Sequence, residues 1–489
     1  MADKPVVPAK LPNKTEGKDS VAEGVEERGL TKENLGEQNR SRTQRRKDLT
    51  SALERIHQAA NRDRKMRFTA LYHHVYNVEH LQTTFEELNP RAAAGIDGET
   101  WEHYRQDLRG NLEDLSARLK RGAYRPKPVK RAYRDKPDGK QRPLGVTALE
   151  DKLVQRSMAN VLNALYEADF RGFSYGFRPG RSAHDAMDAL HMGLMTKKVN
   201  WVLDADIRGY FDAISHEWLE KFLEHRIADK RVLRLIRKWL KAGVLEGGSL
   251  EVSEAGSPQG ASISPILANV YLHYVFDLWA DKWRKTKAVG DIMVVRFVDD
   301  YTVGFQYRAE AMKFLEELRE RLAKFELELH PDKTRLIEFG RFAIQNRRRK
   351  GEGKPETFEF LGFKHICSTS RKGNFIVRRQ TIAKRLNQKL KEVKAILRRR
   401  MHDPVPKVGA WLRAVIRGYF NYHAVPFNIR ALTKFHKQLA RYWRQILGRR
   451  SQKGYVTWER MNRLVDRWFP PPRILILPPW ERRGCFYPR

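Results

Sequence analysis

The sequence predicts an α+β domain built on a central antiparallel sheet, followed by a basic helical domain. Between about residues 65 and 365, strand-like and helix-like segments alternate. After about residue 378 the apolar residues keep helical spacing only. In "TIAKRLNQKLKEVKAILRRR", Ile382, Leu386, Leu390, Val393 and Leu397 fall on one stripe. The third observation is charge. Lys and Arg number 95 against 59 Asp and Glu, a net +36. Such an excess repels itself unless a polyanion is near, so nucleic acid is the first expected partner and an anionic membrane surface the second.

The elements follow in chain order. Residues 1–60 are polar, charged and poor in aromatics, and read as a mostly disordered arm with a short helix in "TSALERIHQAANRD". Residues 61–375 form the α+β part. In it, "DKLVQRSMANVLNALYEADF" carries Leu153, Val154, Met158, Val161, Leu162 and Leu165 at helical spacing. "RSAHDAMDALHMGL" reads as a helix capped by Ser182, and "AEAMKFLEELRERLAKFEL" as an amphipathic helix. "NWVLDADI" reads as a strand entering a loop, and "DIMVVRFVDDYTVGF" as strand, turn, strand. Residues 376–475 form the helical part, where "RGYFNYHAVPFNIRAL" interleaves aromatic and basic residues. Its last helix starts at Thr457 and stops before Pro470. Residues 476–489 are a short tail.

Several classes are disfavoured. No apolar run approaches the roughly 18 residues of a spanning helix. The start "MADKPVVPAKLPNK" has no signal-peptide core. The two cysteines, Cys367 and Cys485, fit a reducing cytoplasm and cannot make a four-cysteine zinc site.

Four stretches can carry chemistry, and each has an ordinary structural reading. "FVDDY" places Asp299 and Asp300 in what is commonly a solvated turn. In "VLDADIRGYF" a strand period of two puts Asp204 and Asp206 on one face, and spacing does not choose between them. "GSPQGASISPILANVYL" is a loop running into an apolar helix with Pro265 in its first turn. "YRDKPDGKQRPLGV" is a hairpin in which Lys136 and Arg142 flank a Pro-Asp-Gly turn, and two cations there suit a triphosphate. Carboxylates on adjacent strands suit a pair of Mg²⁺ ions, which take hard oxygen ligands.

Taken in series, "AAGIDGETWEHY", "KPDGKQRPLGV", "FSYGFRPGRSAHDAM", "DADIRGYFDAI", "SPQGASISPILANVYLH", "RFVDDYTVGF", "LHPDKTRLIEF" and "FEFLGFKH" resemble bacterial group II intron reverse transcriptases, or maturases. The resemblance covers roughly residues 65–475. It implies a right-hand polymerase of fingers and palm followed by a helical thumb and maturase domain, acting in the bacterial cytoplasm near the nucleoid. It selects Asp206 over Asp204 as a metal ligand, with the Ile207 carbonyl, Asp299 and Asp300 completing a site for two Mg²⁺, or Mn²⁺. It assigns Lys136, Arg142, Phe211, Gln259 and Lys333 to the nucleotide, Phe211 as the bulk that excludes a ribose 2′-hydroxyl. It assigns Gly95, Ile96, Asp97 and Gly98 to the template, and Arg178, Arg181, Lys384, Arg385, Arg417, Tyr419 and Tyr422 to nucleic acid. The implied partners are the parent intron RNA, an RNA template, a DNA primer or target, and dNTPs. Alternatives are a splicing-only RNA-binding protein and a free-standing relative in DNA repair or phage defence.

Two departures stand out. The family's Tyr-Ala-Asp-Asp box is here Phe297, Val298, Asp299 and Asp300. The sequence also ends at Arg489, soon after Pro472, without the C-terminal endonuclease of many relatives, so a borrowed primer is expected. The three carboxylates are intact, so the altered box is expected to change fidelity or primer handling and not to abolish activity. Val298→Ala therefore shifts misincorporation or primer preference in an extension assay; unchanged rate, fidelity and preference would refute this.

Overall fold

A four-stranded antiparallel sheet organises the centre of the computed structural model, which describes residues 32–135, 141–246, 249–251, 256, 260–450 and 454–481. Its strands lie in the order Ile292–Phe297, Asp300–Phe305, Trp201–Asp206, Arg335–Glu338. All three pairings are antiparallel, as expected. The sheet is covered on both faces, which is why its strands read as apolar runs and not as clean alternations. Successive residues enter different cores. Leu203, Ala205, Val294, Tyr301 and Val303 join one that includes Phe314 of the helix Arg308–Ala323. Val202, Met293, Val295 and Ile337 join another that includes Met187 and Leu190 of the helix Ala183–Thr196.

The second face is also packed by a smaller sheet of Phe358–Phe360, Phe363–Thr369 and Phe375–Thr381. Ser182 caps the helix Ala183–Thr196 through a reciprocal capping box with Asp185, as its sequence suggests. Toward the N-terminus, a hairpin of Val129–Asp135 and Gln141–Val146 pairs Arg134 with Arg142 and Asp135 with Gln141. Val244–Glu246 runs parallel to its first strand.

The arm is more ordered than expected, and the short helix read in "TSALERIHQAANRD" is the end of a longer one. A helix spans Lys32–Arg62. Ile56 and Ala60 are buried in the main core, and Arg45 pairs with Glu79 and Glu86 of the helix Val78–Glu87. Apolar residues are sparse in this helix, but they recur on the side that meets the core, so a polar composition conceals a docked element.

Four helices form the basic part: Ala383–Arg399, Val405–His423, Ile429–Gly448 and Trp458–Trp468. Leu386, Leu390, Val393 and Leu397 pack against Leu412, Ile416, Phe435 and Trp443. Thr457 caps the last helix by accepting from the Arg460 amide. Among the described residues no helix is long and apolar enough to cross a membrane. Trp443 is fully buried, whereas Trp480 is largely exposed. Trp443→Ala should therefore cost about 3–5 kcal/mol in denaturant unfolding, and Trp480→Ala no more than about 0.5 kcal/mol.

Candidate active site

The register of two strands brings the first carboxylates together. Asp206 ends its strand directly opposite Asp300, and Asp204 lies opposite Thr302. Across the next pairing Phe297 faces Asp300, so Val298 and Asp299 alone make the turn. One face of the sheet therefore carries Val202, Asp204 and Asp206 in line, with Asp300 and Thr302 beside them. The one-face reading of Asp204 and Asp206 holds. Their environments differ, however. Asp204 is buried and pairs with Arg335 at 3.6 Å, while Asp206 sits at the open end.

The turn is conformationally demanding. Val298 has φ of 60° and is only 4% exposed. A β-branched residue in the left-handed region is costly and persists only where its surroundings over-determine it. Those surroundings centre on Arg296, which is fully buried. Its Nε and Nη2 donate to the two Asp277 carboxylate oxygens at 2.7 and 2.6 Å. Its Nη1 donates to Asn269 Oδ1 at 3.2 Å and to the Val298 carbonyl at 3.1 Å. Nη2 also reaches Ser174 Oγ at 2.7 Å.

Neighbouring backbone is tied to the same group. The Arg296 amide donates to Phe173 O and its carbonyl accepts from the Tyr175 amide. Asn269 Nδ2 donates to Gly176 O at 2.7 Å. A Cβ on Gly176 would lie 2.8 Å from Val298 N, so only glycine allows this approach. Asp277 closes a one-turn π-bulge, His273–Asp277, in the long helix. None of Arg296, Asp277, Asn269 and Ser174 was expected to serve the site. The available signal was an arginine amid the apolar run "MVVRFV" and an aspartate inside "YVFDLW".

The carboxylates crowd one another. Burial, and then the charges of Asp204, Asp206 and Asp299, push Asp300 well above the ordinary carboxylate range, while Arg385 acts in the opposite sense. Burial likewise pushes Asp204 up to about 6, against the pull of Arg335. The Lys333 ammonium forms an ion pair with Asp206 Oδ2. Among the described residues, no three His, Cys, Asp or Glu side chains close around one point. Mg²⁺ does not require such a cage, since it keeps waters and uses one or two carboxylates with substrate phosphates. The oxygen-only donor set and the crowding of negative charge fit a divalent cation. Ile207 bridges Leu329 through bonds from Arg208 N to Glu328 O and from His330 N to Asp206 O. Neither bond uses the Ile207 carbonyl.

The remaining expected residues divide into groups. Phe211 is half-buried in the turn Tyr210–Asp212, which starts from Gly209 at φ of 54°. Gly95 packs on the Thr147–Ala148 backbone, Ile96 is exposed, Asp97 pairs with Lys127, and Gly98 takes φ of 72°. Lys384, Arg385 and Arg417 are exposed on the basic helices. Lys136 and Gln259 lie outside the described residues, and of Arg142 only the strand position is described.

Two assignments to nucleic acid are corrected, and two others are narrowed. Arg178 is buried, bidentate to Glu167, and donates to the Arg171 and Ser174 carbonyls. Arg181 donates to the Gly172 and Ser174 carbonyls and lies over Tyr175. Tyr419 is buried and stacks on Phe435 at 3.8 Å. Arg178 and Tyr419 are taken up by the fold, and the partly exposed Arg181 is tied to it through its carbonyl contacts. Tyr422 is half-buried and donates its hydroxyl to Leu361 O.

Comparison with known proteins agrees with this layout. Residues 134–365 match the family described as Reverse transcriptase (RNA-dependent DNA polymerase). The chain is 33% identical over 300 residues to Protein YkfC of Escherichia coli, covering 53% of this chain and 77% of that one. It is 34% identical over 231 residues to the group II intron-encoded protein LtrA of Lactococcus lactis, covering 46% of this chain but only 38% of that one. A 91 kDa protein in the cob intron of Schizosaccharomyces pombe is 40% identical over 162 residues, 33% of this chain and 20% of that one.

The buried pair yields a test. Arg296→Met leaves Asp277 charged and unpaired, and should cost about 3–5 kcal/mol of stability. Adding Asp277→Leu should restore most of it. Amide exchange across Phe297–Tyr301 should nevertheless stay faster than in the parent, because the Val298 carbonyl has lost its donor. Parent-like exchange in the stable double variant would show that Arg296 does not hold the turn.

Proposed function

This chain belongs to the group II intron type of reverse transcriptase, and we propose that it is an RNA-directed DNA polymerase that also binds its parent intron RNA. In this reading it promotes splicing of that RNA and copies it into DNA. The observation that carries the polymerase reading is the register that sets Asp206 opposite Asp300, with Asp299 in the adjoining turn.

Asp206, Asp299, Asp300 and the Ile207 carbonyl are the proposed ligands. Two Mg²⁺ held there, with Mn²⁺ as the alternative, supply activation of the primer 3′-hydroxyl and charge neutralisation at the leaving pyrophosphate. The chain's own groups do the rest. The crowding that raises Asp300 makes this end of the sheet attract cationic charge. Lys333 holds Asp206 by a salt bridge that orients its carboxylate. Phe211, five residues past Asp206, presents an aromatic edge toward the sugar of an incoming dNTP. Lys136 and Arg142 are assigned the triphosphate and Gln259 the nucleotide pocket, on their motif positions alone.

Template contact is assigned to Gly95, Ile96, Asp97 and Gly98. The glycines let backbone approach the strand, and the exposed Ile96 supplies an apolar surface. Lys384, Arg385 and Arg417 follow phosphates along the helical domain, where salt-dependent affinity is expected. Arg385 has a second position of interest. It lies against Gly362, where a Cβ would meet its Nη1 at 3.0 Å, and it acts on Asp300. It therefore stands between the helical domain and the carboxylates.

The test is primer extension on an RNA template with dNTPs and Mg²⁺. Asp206→Asn or Asp300→Asn should lower incorporation by about 10²-fold or more, while RNA retention on a filter stays unchanged. Chelation of the metal should stop extension reversibly. Phe211→Ala should admit ribonucleotides that the parent rejects. A parent protein that assists splicing yet incorporates no dNTP would overturn the polymerase reading in favour of a splicing-only RNA-binding protein.

A further inference from the structure

A second candidate site lies at the opposite end of the central sheet. Trp201 pairs with Glu338 there, while Asp206 closes the other end, about 16 Å of strand away. From Glu338 the chain passes Gly340, where a Cβ would lie 2.9 Å from the Val199 carbonyl carbon, so the following segment is pressed onto the sheet. It then forms the helix Ala343–Arg349. Between the start of this helix and the tip of the hairpin Phe363–Thr369/Phe375–Thr381 opens a cavity of about 460 Å³.

The lining has a distinct chemistry. Phe342 and Phe375 are aromatic, Gln345 and Asn374 are amides, Arg341 is a cation, and no lining side chain is acidic. Phe342 is 50% exposed, an aromatic face left in water at the mouth. The side-chain amides of Gln345 and Asn374 have no hydrogen-bond partner among the described residues. Cations flank both sides. Arg347 is neutralised by Glu352 and Glu356, and Lys350 by Glu338. Arg348 and Arg349 on the helix, and Arg371 and Lys372 at the hairpin tip, carry no ion pair among the described residues.

We propose that this cavity binds an unstacked base of a single-stranded RNA segment. The inference rests on the RNA-binding reading above and adds a place for it. Phe342 stacks on the base, because every base offers a π-face to an aromatic ring. Gln345 and Asn374 each present a donor and an acceptor to the exposed base edge. Arg348 and Arg349 on one side, and Arg371 and Lys372 on the other, take the flanking phosphates. The carboxylate end of the sheet is remote, so the site holds RNA apart from the strand being copied.

The test uses the full chain and a 20-nucleotide unstructured RNA oligonucleotide with one 4-thiouridine. After irradiation, adducts should map to peptides containing Phe342 or Asn374–Phe375. Phe342→Ala should reduce that adduct at least about fivefold, and Phe342→Trp should restore it. Phe342 is half in water, so these variants keep the fold. Asn374→Asp, which adds a negative charge at the mouth without removing volume, should also weaken the adduct. Extension of a short primer–template should be unchanged in all three variants. Adducts found only elsewhere, or unaffected by Phe342→Ala, would overturn the proposal. Failure of the parent to extend a primer would overturn the polymerase reading instead, and leaves the crosslink result to be judged on its own.

Discussion

Everything at the carboxylate end of the sheet depends on holding like charges close together. Burial, and then the charges of Asp204, Asp206 and Asp299, raise the proton affinity of Asp300, and burial with the charge of Asp206 does the same to Asp204. Left to itself, the hairpin tip would splay to separate them. The chain counters this from behind, through the buried ion pair of Arg296 and Asp277. Desolvating such a pair costs about as much as its attraction returns, so its value is geometric and not a gain in stability. The Arg296 fork reaches the helix, the segment at Ser174 and the turn carbonyl at once. A planar group with five fixed donors does this, and a lysine would not.

The same logic explains where the cations lie. Arg335 meets the buried Asp204, Lys333 meets Asp206, and Arg385 bears on Asp300 from the helical domain. Asp204, Asp206 and Asp300 thus each have a counter-charge on a different element. The two halves of the chain are coupled at this point electrostatically as well as by packing. His184 Nε2 donates to the Tyr422 carbonyl, and the Tyr422 hydroxyl donates to Leu361 O, so the helix Ala183–Thr196, the small sheet and the basic helices meet beside the site.

How far this was legible in the sequence depended on whether the signal was local. The choice of Asp206 over Asp204 came from the family resemblance, but their shared face and the hairpin at Asp299 and Asp300 were readable because strand period and turn chemistry are local signals. The capping box at Ser182 and the stop before Pro470 were readable for the same reason. Arg178 and Tyr419 were misassigned because a motif position does not tell a side chain facing nucleic acid from one facing Glu167 or Phe435 inside the fold. Only the end of the helix Lys32–Arg62 was readable, in "TSALERIHQAANRD"; its full length was not, because the surface it docks on is carried by other elements, remote in sequence. Arg296 was the opposite case. Its anomaly was visible, a charge in an apolar strand, but its partners lie on a helix and a loop that only the fold brings near.

The altered box gains a physical meaning from this packing. Phe297 is partly buried between the two cores, where a tyrosine hydroxyl would need a partner and a phenyl ring does not. Val298 fills the space against Gly176 with branched methyls that an alanine lacks. The branch worsens the backbone strain of positive φ and improves burial, so the two effects oppose each other at one residue. Arg296 tips the balance by fixing the Val298 carbonyl, which removes the freedom the turn would use to relax. The turn that carries Asp299 and Asp300 is therefore a stiff, apolar step in place of a small one. Under the polymerase reading, that stiffness is what Val298→Ala would change, because it leaves the carboxylates themselves in place.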